Sequence, residues 1–126
     1  MSSAPRTLLD QASAVLEGAS DTHSNRAACW IARAALEIAV DDLLKIKQRS
    51  APDASMRSKL TVLQVAYDEF IDVPARAEYA WNRLSQACHH HAFELAPAAT
   101  EVQHLIELVA GLSDAIGDND SAAADV

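Results

Sequence analysis

Across residues 27–40 only Arg33 and Glu37 interrupt a run of apolar residues. The run is rich in alanine, the strongest helix former. A helix that is apolar almost all round must be buried on several sides, or buried on one side and used for association on another. The rest of the chain therefore has to surround this segment. Its flanks predict a helix over residues 22–49, with Asp21 as N-cap. Lys45, Lys47 and Arg49 crowd the end, where the helix dipole favours cations. Arg26, Arg33, Glu37 and Asp41 form its polar stripe, and Arg33 and Glu37 stand one turn apart.

The surrounding segments also repeat with helical spacing. Leu8, Ala12, Val15 and Ala19 give one apolar face to a helix over residues 5–18, with Ser3 as cap and Pro5 in its first turn. Ser50-Ala-Pro-Asp-Ala marks a break. Met56, Leu60, Leu63, Tyr67 and Phe70 then recur at intervals of four, three, four and three, which predicts a helix over 54–72. Pro74 is expected to end or kink it. A fourth helix over 75–90 follows, then a short connector, then a fifth over 97–116 with Val102, Leu105, Val109, Leu112 and Ile116 on one face. The final GDNDSAAADV has no apolar stripe and is expected to be a disordered acidic tail over 117–126. The expected fold is all-α, an up-and-down bundle of about five helices in one domain over residues 1–116.

Composition agrees with this and narrows the function. Only 5% of residues are aromatic, so Leu, Ile, Val and Ala must build the core, and close-packed helices suit them. Three Gly and four Pro are too few for a turn-rich β protein. The net charge of −8 disfavours broad attraction to nucleic acid, so any RNA contact has to be local. Two cysteines, Cys29 and Cys88, make no disulfide framework, and Cys29 reads as a buried, inert thiol. Trp30 reads as a core or dimer contact, and His23 and His104 as helix-surface residues. No apolar run reaches the ~20 residues of a membrane span, and the first residues lack the apolar stretch of a signal peptide. A cytoplasmic protein with reduced thiols, not bound to a membrane, is expected.

The chemistry gathers in residues 77–97, AEYAWNRLSQACHHHAFELAP. His89, His90 and His91 are consecutive, Cys88 precedes them, and Arg83 is the only Arg or Lys from residue 77 onward. In a helix of about 100° per residue, His90 returns almost to the azimuth of Arg83, whereas His89 and His91 diverge unless the helix unwinds. The plain alternative makes Arg83 a surface ion-pair partner of Glu78 or Glu101, with the histidines as a polar helix terminus. A metal site is disfavoured. Adjacent residues on a helix point in different directions, and the i, i+4 spacing of His-Glu-x-x-His is absent. No metal and no cofactor is expected.

The segment RLSQACHHHAFELAP, followed by AATEV, resembles a small bacterial branch of the HEPN superfamily with an ACHHH-x-x-ELAP-like run. ARAALEIAVDDLL resembles that superfamily's core helix, and the pairs Arg83/His89 and Arg83/His90 match its Arg-x4–6-His pattern. The resemblance covers roughly residues 7–116. It implies a five-helix domain, and in many members a metal-independent endoribonuclease working across a homodimer cleft. Other members bind RNA, nucleotides or protein partners without catalysis. Carried over residue by residue, Arg83 with His89 or His90 would be catalytic. His91 is a further candidate substrate contact, and so is Arg33 if its stripe borders the cleft holding Arg83; the plain reading of that stripe is a solvated face with an Arg33–Glu37 pair. The implied partners are a second copy, RNA or a nucleotide, and a protein such as a nucleotidyltransferase or an antitoxin. The sequence departs from the pattern at Leu84, where active nucleases usually carry a polar residue. Leu84 and the acidic charge favour the non-catalytic reading; the intact Arg/His pair favours the nuclease.

Overall fold

The computed structural model describes residues 4–18, 22–69, 72–88 and 98–124. They form five helices: α1 (Ala4–Gly18), α2 (Thr22–Ile46), α3 (Met56–Ala66), α4 (Asp72–Cys88) and α5 (Ala99–Ala124). The fold is all-α. No strand occurs among the described residues.

The centre of the bundle is α2, which packs against each of the other four helices. Ala28, Ala32, Ala35 and Ala39 make one fully buried stripe along it, and Leu36, Val40, Leu43 and Leu44 thicken that stripe into a buried face. Small side chains on a central helix let neighbouring backbones come close while the leucines fill the space between them. Trp30 is the exception: it is 55% exposed, so it is not a core residue. In α3 and α5 burial follows the expected stripes, whereas α1 is turned about one residue from its expected face, burying Leu9 and Leu16 and leaving Leu8 and Val15 only partly buried. Leu9, Ala12 and Leu16 come from α1, Leu60 and Leu63 from α3, and Ala77, Ala80, Leu84 and Cys88 from α4. From α5 come Val102, Leu105, Ile106, Val109 and Leu112.

Chain direction follows from the contacts. Arg83 of α4 pairs with Glu101 of α5, and Arg76 lies 3.7 Å from where a Cβ on Gly111 would stand, so α4 and α5 are antiparallel. Arg6 pairs with Asp114, which ties the start of α1 to α5. Gln64 donates to Glu78 at 3.1 Å, which ties α3 to α4. Tyr67 fastens the end of α3 to the centre: its buried hydroxyl donates to the Leu43 carbonyl at 2.7 Å. Lys59, 8% exposed, reaches Asp41 at 2.8 Å. A cation so nearly buried needs such a partner.

Several boundaries differ from those expected from the sequence, for local reasons. Helix α2 stops at Ile46, not Arg49, because Gln48 turns left-handed (φ 57°). Its N–H and that of Arg49 then donate to the carbonyls of Lys45 and Leu44, at 3.0 and 2.8 Å. That pairing closes a helix end. Helix α3 starts later, at Met56, because Ser55 caps it by accepting from the Ser58 N–H at 3.2 Å. It ends at Ala66, short of residue 72, and Phe70 lies outside the described residues. Pro74 does not break a helix; it sits in the first turn of α4, where its missing N–H would have no partner anyway. Helix α5 runs on to Ala124 through the segment expected to be a disordered tail.

Candidate functional site

Helix α4 buries the face carrying Ala77, Ala80, Leu84 and Cys88, spaced three, four and four. That face fixes everything around it. At about 100° per residue, Trp81 and Arg83 fall about 160° apart, on opposite flanks of the helix.

On the flank toward α5, Arg83 pairs with Glu101 in the first turn of that helix. The Arg83 side chain keeps 43% of its surface exposed, so the pair sits in water rather than in the core. This is the Glu101 pairing anticipated as the plain alternative; Glu78 is instead held by Gln64.

On the other flank, Arg33 of α2 is clamped between two indoles. Its guanidinium carbon lies 4.4 Å from the Trp81 ring centroid and 5.5 Å from that of Trp30. Its charge also acts on the Cys88 thiol at the end of α4, where it favours the thiolate. The structure therefore joins Arg33 to the end of α4 but does not bring it to Arg83. Spacing alone missed Trp81: it reads as an ordinary α4 residue until α2 is laid beside it.

The two thiols lie at this same end of the bundle. Burial pushes the Cys29 thiol up to about 12, helped by the neighbouring Cys88 and Glu101 and opposed by Arg26. Burial also raises Cys88, against the attraction of Arg33. Both are free cysteines and both are protonated at neutral pH, consistent with an inert Cys29.

Leu84, the departure from the expected polar residue, is fully buried. The position after Arg83 faces the core here, so a polar side chain there would point away from solvent. His89, His90 and His91 lie outside the described residues; the chain reaches them directly from Cys88, the last residue of α4. His104 is exposed on α5. Among the described residues no three His, Cys, Asp or Glu side chains converge as a metal site. No helix among them is long and apolar enough to cross a membrane. No protein-family model matches the chain, and no curated protein or solved structure matches it significantly.

Proposed function

We propose that this chain is a HEPN-type helical domain that receives an RNA phosphate at the α4–α5 edge and cleaves RNA without a metal. One observation carries the reading. Arg83 stands on the rim of the bundle with its guanidinium partly open to water, one to two turns before the histidine run. A neutral His90, or His89 if the helix unwinds early, would take the proton from a ribose 2′-OH. The resulting alkoxide attacks the adjacent phosphorus. Arg83 neutralises charge growing on the phosphoryl oxygens, and a 2′,3′-cyclic phosphate and a 5′-OH leave. Arg33 cannot share that phosphate across α4, so its part is to brace the end of α4 through Trp81 and Cys88. The same reading carries a cytoplasmic homodimer, with exposed Trp30 as apolar surface for the second copy, and a partner such as a nucleotidyltransferase or an antitoxin.

The test is cleavage of single-stranded RNA by purified protein in excess EDTA. Arg83→Ala should lower the rate by ~10²–10³, and His90→Ala should match it. Cleavage that EDTA abolishes would overturn the metal-free mechanism.

A second reading is favoured by two observations. Glu101 already occupies Arg83, and Leu84 is a core residue. On that reading the domain binds RNA, a nucleotide or a protein partner and cuts nothing. Wild-type protein that retains RNA on a filter without cleaving it would select this alternative.

A further inference from the structure

Away from the rim, α3 and α4 part to leave a groove of about 310 Å³. That is the lower end of the range for small-ligand sites. Its residues are ordered by α3, which carries Gln64, Thr61, Leu60 and Arg57 along it, and Gln64 meets Glu78 at 3.1 Å. Glu78 and Gln64 form one end. One turn along α3 come Leu60 and Thr61, Trp81 and Asn82 line the groove from α4, and Arg57 forms the other end. Arg57 and Gln64 are seven residues apart on α3, about 10 Å at 1.5 Å per residue. An acid and a base thus stand at opposite ends of a slot whose middle is an indole, a leucine and an amide. Neither charge has an ion-pair partner among the described residues. The indole in this slot is also packed by Arg33, whose guanidinium carbon lies 4.4 Å from the Trp81 ring centroid.

We propose that this groove binds a short free peptide of about three residues as a zwitterion. An extended chain spans about 3.3–3.6 Å per residue, so three residues match the roughly 10 Å along α3 from Arg57 to the Gln64 that holds Glu78. The peptide's ammonium group faces Glu78 and its carboxylate faces Arg57, where a bidentate pair can form. A central apolar side chain lies against Trp81 and Leu60, and the Asn82 amide bonds the peptide backbone. Net charge selects the same ligand. An anion meets Glu78 and a strongly acidic protein, and a cation meets Arg57; a zwitterion satisfies both ends.

The experiment uses the full chain and alanyl-leucyl-alanine as probe. Trp30→Phe leaves Trp81 as the sole indole, so its fluorescence reports the groove directly. Saturable change in that emission is expected, with calorimetry giving the affinity. N-acetylation and C-amidation of the probe should each weaken binding about tenfold. Glu78→Gln should remove the penalty for acetylation, and Arg57→Gln the penalty for amidation. Both residues are exposed, so circular dichroism should be unchanged. Equal binding of capped and uncapped peptides, or no binding up to about 10 mM, overturns the proposal. Arg83→Ala should leave peptide binding intact, which separates a failure here from a failure of the RNA reading.

Discussion

Helix α4 carries an arginine contact on each flank, and the two are built differently. Toward α5, Arg83 meets a carboxylate in water. Toward α2, Arg33 meets two indoles and a thiol, with its Nε buried and given no hydrogen-bond partner. An exposed ion pair is worth ~0.2–1 kcal/mol and can be exchanged for a phosphate at little cost. A guanidinium packed between rings contributes through its contact area, and pulling it out leaves space behind. The residue type is the same, and the neighbouring helix decides whether it serves packing or remains available to a ligand.

The strongest way to break this comparison lies between the flanks. Leu84→Asn supplies the polar residue that the proposed nuclease reading calls for, yet puts an amide in the middle of the buried face. The loss should be about 4 kcal/mol, part cavity and part unpaired amide. Urea unfolding followed by circular dichroism checks it. A loss under about 1 kcal/mol would mean that α4 can turn Leu84 outward, and the assignment of flanks would fail.

The thiols under the Arg33 flank give a pH-dependent test. Cys29 titrates near 12 when folded against a usual 9.0. Between those values the unfolded chain has lost the proton and the folded chain keeps it. Stability is therefore intact below pH 9 and falls as pH rises toward 12, by up to about 1.4 kcal/mol per pH unit. Cys29→Ala should flatten that slope in urea melts at pH 8 and pH 10. Native-state alkylation by iodoacetamide at pH 8 should correspondingly be slow.

The two arginines themselves give the sharpest contrast, and Arg83 the smallest effect. Arg33→Ala should cost about 2 kcal/mol through lost stacking and packing. Arg83→Ala should cost under about 1 kcal/mol, and less still in high salt. Thermal melts of the two variants at low and high ionic strength make the comparison. Equal losses would show that the flanks are energetically alike.

Helix number and the core were legible in the residues. The stripes Met56, Leu60, Leu63, Tyr67 and Val102, Leu105, Val109, Leu112 recur at helical spacing, and burial follows them. The near-continuous apolar run of α2 demanded partners on several sides, and it has four. These are local properties: periodicity depends only on which residues follow one another, and the hydrophobic effect needs no particular partner. Even the ends of α2 and α3 turn on single residues, Gln48 in a left-handed turn and Ser55 as a cap, that compete with continued helix over one or two hydrogen bonds.

The placement of polar groups was a different matter. Nothing within residues 77–97 says that Trp81 will lie on Arg33, and nothing near Lys59 says that Asp41 will hold it. Glu78 and Glu101 were equal candidates for Arg83 by spacing, and only the antiparallel approach of α5 chose Glu101. The sequence by itself determined that five helices would bury these apolar faces. The tertiary structure alone decided which flank of α4 would meet an aromatic-packed guanidinium and which an ion pair, because a polar contact is directional and short-ranged. Its partner is set by which helix comes alongside and at what register, and no stretch of chain carries that information about its neighbour.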